Sequence, residues 1–77
     1  MTLRERREQA GLSQVEVSRA LEVDQSSVCL WERGKNAPLK KYRRELAKLY
    51  KCGADELADS IALAKAEYEA RQREKGA

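Results

Sequence analysis

Two short helical periods lie almost end to end between Ser13 and Gly34, and this pair constrains the fold more than any other feature of the chain. Ser13-Gln14-Val15-Glu16 is a capping box: the Ser hydroxyl takes an orphan N–H and the Glu carboxylate reaches back to the cap. Val17, Ala20 and Leu21 then share one face, and the period stops near Leu21-Glu22. Asp24 can cap a second helix at once, over Gln25–Arg33, with Val28 and Trp31 spaced i, i+3 and Gly34 as its terminator. A joint this tight asks the second helix to stand nearly perpendicular to the first, with one face turned outward. Val17, Leu21, Val23, Val28 and Trp31 supply the shared apolar contact.

The remainder of the chain also reads as helix. No segment alternates apolar and polar residues over strand length while carrying β-branched residues, so the expected class is all-α with five helices. The first spans about Leu3 to Ala10 and ends at Gly11, a residue that takes positive φ without penalty. The fourth starts at Pro38, with Leu39, Tyr42, Leu46, Leu49 and Tyr50 as its inner face. Gly53 breaks it and serves as N-cap of the fifth, which runs from Ala54 to about Arg73, with residues 74–77 fraying. Leu57, Ile61, Ala64 and Tyr68 form a stripe on that last helix, and Glu67–Arg71 and Glu69–Arg73 are i, i+4 pairs.

Composition argues against most enzymes and metal modules. Among 77 residues there is no His, the usual acid–base group near neutral pH. Cys29 and Cys52 lie too far apart for a CxxC ligand pair. No nucleophile–base pair and no Gly-rich phosphate loop is present, so neither catalysis nor a metal or other cofactor is expected. The two cysteines read as reduced thiols, and no apolar run has the length of a signal peptide core or membrane span. The expected protein is soluble and cytoplasmic, without a membrane partner. Charge divides unevenly: residues 1–51 carry 12 Lys/Arg against 7 Asp/Glu, and residues 52–77 carry 4 against 6. A basic front of this kind suits a polyanion.

Arg7-Glu8-Gln9-Ala10-Gly11-Leu12-Ser13-Gln14, then Asp24 through Gly34, then Pro38, resembles the Cro/repressor (xenobiotic-response-element) helix-turn-helix family. The similarity covers roughly residues 3–57, about 70% of the chain. It implies a lambda-repressor-like domain over residues 1–57, with residues 58–77 as a C-terminal helical extension. By that resemblance Gln25, Ser26 and Leu30 face base edges in the major groove. Gln14, Ser27, Cys29, Arg33, Lys35 and Asn36 lie at or near the DNA backbone, and Arg7 with Glu32 forms a structural ion pair. Gln can also bond adenine bidentately on chemical grounds alone. Five positions depart from the family's pattern: Ser18 replaces Ala, Glu22 replaces a left-handed Gly, Asp24 replaces a Ser/Thr cap, and Lys40 and Arg43 stand in the fourth helix where the family often has apolar residues.

The expectation is therefore sequence-specific binding of double-stranded DNA by a small transcriptional regulator, a repressor, acting as a homodimer. Leu57, Ile61, Ala64 and Tyr68 are the candidate dimer stripe. The alternative is an antitoxin or other interaction module whose C-terminal helix holds a protein partner.

Overall fold

The computed structural model describes residues 1–76, and within them the regular structure is entirely helical. The helices are α1 (Leu3–Gln9), α2 (Gln14–Leu21), α3 (Gln25–Arg33), α4 (Lys40–Leu49) and α5 (Ala54–Gly76). Helices as short as the first four are marginal alone, so a common core has to hold them. That core is Leu3, Val17, Leu21, Val28, Trp31, Leu46, Tyr50, Leu57 and Ile61, drawn from every helix. Trp31 belongs to it and stacks obliquely on Tyr42, ring centroids 5.9 Å apart.

Local chemistry sets the helix ends. Thr2 with Glu5 and Ser13 with Glu16 both close capping boxes, of which only the second was expected. Ser18 is buried, and its hydroxyl donates back to the Val15 carbonyl at 2.7 Å, so the departure from Ala is satisfied. Glu22 adopts the left-handed conformation at φ 56° and ψ 45°. It lets the Val23 amide reach the Ser18 carbonyl at 2.9 Å and closes α2. Because a left-handed non-Gly residue is strained, Glu22→Gly is expected to stabilise the fold by about 0.5–1 kcal/mol in urea unfolding, net of its looser unfolded chain. A loss of stability on that change would contradict the strain.

Several expectations need correction. Asp24 precedes α3 with extended backbone, but its side chain makes no capping bond; the Ser27 amide bonds the Asp24 carbonyl instead, at 3.0 Å. Ala20 is exposed, since at ~100° per residue it lies about 110° from the middle of the arc formed by the buried Val17, Ser18 and Leu21. Leu39 is 62% exposed rather than on the inner face of α4, since it is the extended residue before that helix. Pro38 takes the buried place. Lys51, left-handed at φ 54°, ends α4 two positions before Gly53, and the Cys52 amide bonds the Ala47 carbonyl at 3.0 Å. Cys52 is half-buried rather than fully packed, though burial still pushes its thiol above the ordinary range.

The largest correction concerns α5. It continues to Gly76, past the expected end at Arg73, and packs against α1, α3 and α4. Leu57, Ile61 and Ala64 are 1%, 9% and 3% exposed within the single chain. The supposed dimer stripe is thus an intrachain seam, with only Tyr68 half-exposed at its end. The expected boundary between residues 57 and 58 falls inside this helix, as the expected span from Ala54 already had it. Ser60 is buried between the seam residues; it accepts from Arg6 Nε and donates to the Met1 carbonyl, both at 2.6 Å. Ala77, part of the expected extension, lies outside the described residues.

Candidate nucleic-acid interface

Val28 and Trp31 anchor α3 in the core and so decide which face it shows. At ~100° per residue, Gln25, Cys29, Arg33, Ser26 and Leu30 share an arc of about 140° on the other side. Gln25, Ser26 and Arg33 are exposed, while Leu30 and Cys29 are half-buried. Ser26 and Leu30 lie towards one end of this arc, and neither lines the cleft on either side of it. On one flank, Gln14, Gln25, Cys29 and Arg33 line a common cleft. On the other, Ser27, Lys35 and Asn36 line a second cleft together with Trp31, Tyr42 and Tyr68. The candidate residues are therefore split: Ser27 falls on the side of Lys35 and Asn36, away from Gln14 and Arg33.

A chain of bonds ties the exposed arc to the core. Arg7 lies bidentate on Glu32, Nε to Oε2 at 2.6 Å and Nη2 to Oε1 at 3.2 Å, and also donates to the Leu12 carbonyl at 2.9 Å. Their side chains are only 11% and 8% exposed, so this is a sheltered ion pair rather than a surface one. The Glu32 carboxylate raises the Arg7 pKa by hydrogen bonding. Gln14 Nε2 donates to Glu32 Oε1 at 3.1 Å, which turns the Gln14 oxygen outward. Gln25 Nε2 then donates to that oxygen at 3.4 Å. Each link dictates the direction of the next: the carboxylate accepts only, so both amides are oriented. Gln25 is left presenting its carbonyl oxygen and its other N–H to solvent, the donor–acceptor pair a base edge can meet. Tyr50 lies within the field of the Arg7–Glu32 pair; burial first, and then the Glu32 carboxylate, hold its hydroxyl well above the ordinary tyrosine range.

Sequence reasoning missed Arg4, Glu67 and Arg71, which line the cleft of Gln14 and Gln25. The two α5 residues lie more than thirty positions from α3, so no local pattern could have flagged them. The expected Glu67–Arg71 and Glu69–Arg73 pairs of α5 do not close. Among the described residues the ion pairs are Arg4–Glu8, Arg6–Glu56, Arg7–Glu32 and Lys48–Glu45. Arg71 instead donates to the Arg33 carbonyl at 3.3 Å. Also among the described residues, no three His, Cys, Asp or Glu cluster to hold a metal, and no helix is long and apolar enough to cross a membrane.

A family model described as a helix-turn-helix domain matches residues 1–59, consistent with a Cro/repressor-type domain. Comparison with curated proteins and with solved structures gave no match.

Proposed function

We propose that this chain, which belongs to the helix-turn-helix domain family, is a small regulator that reads double-stranded DNA by laying α3 in the major groove. The observation that carries this reading is the bonded series Arg7–Glu32–Gln14–Gln25, which holds an exposed glutamine in one orientation at the leading end of α3. Nothing in a purely structural role requires a solvent-facing amide to be aimed in this way. Gln25, Ser26 and Leu30 are the base-edge residues of the proposal. Arg33, Lys35 and Asn36 are the exposed backbone contacts, with Gln14, Ser27 and Cys29 set more deeply beside them. Phosphate contacts supply affinity and salt dependence, and base contacts supply discrimination.

Repression by occupancy of an operator is the simplest outcome for a domain of this kind, and pairing of two copies would place two α3 helices on successive major grooves, ~34 Å apart. The Leu57–Ile61–Ala64 seam is not available for that pairing, so another surface must serve. The same burial weakens the protein-partner alternative. Beyond Ala64 the exposed residues of α5 are mainly charged, with only the small Ala66 and Ala70 as apolar positions.

Selection of bound duplexes from a random pool tests the reading; inverted repeats among them would report two paired copies. On the selected site, Gln25→Ala is expected to cost about 1–3 kcal/mol, with little effect on random DNA, whereas Lys35→Ala weakens all duplexes alike and flattens the salt slope by about one. Equal losses for Gln25→Ala on selected and random DNA would remove its base-reading role.

A further inference from the structure

Residues 60–76 lie beyond the family match, yet α5 returns two of their charges to α3. The close passage of α5 fixes the geometry. A Cβ on Gly34 would lie 2.0 Å from the Ala64 carbonyl oxygen, so the two backbones touch at this crossing. Arg71, about two turns further along α5, then reaches back to the last residue of α3. A guanidinium on that carbonyl also meets the negative end of the α3 dipole. Arg71 and Glu67 share a cleft with Gln14, Gln25 and Arg33.

The charges in that cleft are not equivalent. Arg7 is neutralised by Glu32, and Arg4 faces Glu8 at 3.4 Å. Arg33 and Arg71 are exposed and pair with no carboxylate among the described residues. Arg71 uses one nitrogen on the Arg33 carbonyl and keeps the rest of its fork for a second acceptor. Glu67 adds an exposed negative charge to the same wall.

We propose that α5 forms an added wall of the DNA interface, in which Arg71 binds a backbone phosphate beside Arg33 and Glu67 tempers that affinity. This rests on the DNA-reading proposal above. Neither residue touches a base in this arrangement, so both act alike on every sequence.

Titration of the full chain with random-sequence duplex between ~50 and ~200 mM salt tests it. Losing one phosphate contact should reduce the slope of log K against log salt by about 0.9, so the defect of Arg71→Ala shrinks by about 3.5-fold over that range. Arg71→Lys keeps the slope, and Glu67→Gln tightens binding to every duplex. An unchanged slope in Arg71→Ala, whatever its affinity, would show a brace for α3 rather than a phosphate contact and overturn the proposal. Unchanged or weaker binding by Glu67→Gln would overturn the role of Glu67. If the unmodified chain binds no duplex at all, the DNA reading itself fails, and this inference with it; a failure confined to the variants leaves that reading intact.

Discussion

Replacing Gly34 with Ala is expected to destabilise the protein by about 2–5 kcal/mol, combining ~1–2 kcal/mol of left-handed backbone strain with ~1–3 kcal/mol of overpacking. Both parts have a visible origin. Gly34 has φ +82°, and its missing Cβ leaves the space in which the Ala64 carbonyl carbon and oxygen sit, 2.4 and 2.0 Å from where that atom would be. These are backbone atoms in the middle of a helix, so no side chain can swing aside. The helix must retreat as a body, lifting Ile61 and Ala64 from the core and Arg71 from α3. Gly11 provides the control. It has φ +75° but nothing within 4 Å of where a methyl would sit, so Gly11→Ala carries the strain alone, about 1–2 kcal/mol. Urea midpoints of the two variants separate the contributions. Equal losses at Gly11 and Gly34 would mean that α5 does not pass against α3 as described.

Glu32→Ala is expected to cost about 3–5 kcal/mol, because Arg7 would keep its charge in a sheltered site without a partner. The side-chain exposure of Arg7, 11%, leaves water little access to compensate. The same substitution removes the acceptor of Gln14 and so the orientation of Gln25, which on the DNA-reading proposal links stability to discrimination. Glu32→Gln retains the shape and one acceptor and should fall between the two. Joint replacement of Arg7 and Glu32 by Leu should recover much of the stability, since no charge is then stranded. Discrimination between selected and random duplex should not return, because Gln14 still lacks its acceptor. If Glu32→Ala unfolds at the same urea concentration as the unmodified chain, the ion pair does not hold α1 to α3.

The two central helices were legible because their signals are local. Ser13, Glu16 and Gly34 act within a few bonds of the backbone groups they satisfy, and α2 and α3 start and stop where those residues place them. The strained Glu22 could be anticipated from the family resemblance alone, because it stands where the family's pattern has a left-handed Gly. Asp24 was harder. Its type suits a cap, but extended backbone alone does not turn its carboxylate onto the first amides, and the turn bond at the Asp24 carbonyl serves in its place. Leu39 misled because periodicity was extended one residue beyond the helix that obeys it.

The site was legible in part for the same reason. Exposure of Gln25 and Ser26 follows from the burial of Val28 and Trp31 on one short helix. The split of Ser27 from Gln14, and the arrival of Glu67 and Arg71, depend on where other helices cross α3. Those crossings are set by packing between residues far apart in the chain.

By itself the order of residues determined that the chain is helical, where its central helices begin and end, and which side of each is apolar. Caps, turns and periodicity act over a few residues, and the alternatives cost too much backbone bonding to compete. What an apolar side rests against was decided only in three dimensions. Leu57, Ile61 and Ala64 would make the same stripe for a second copy or for their own core, and the glycine-sized gap at Gly34 lets α5 close on its own chain.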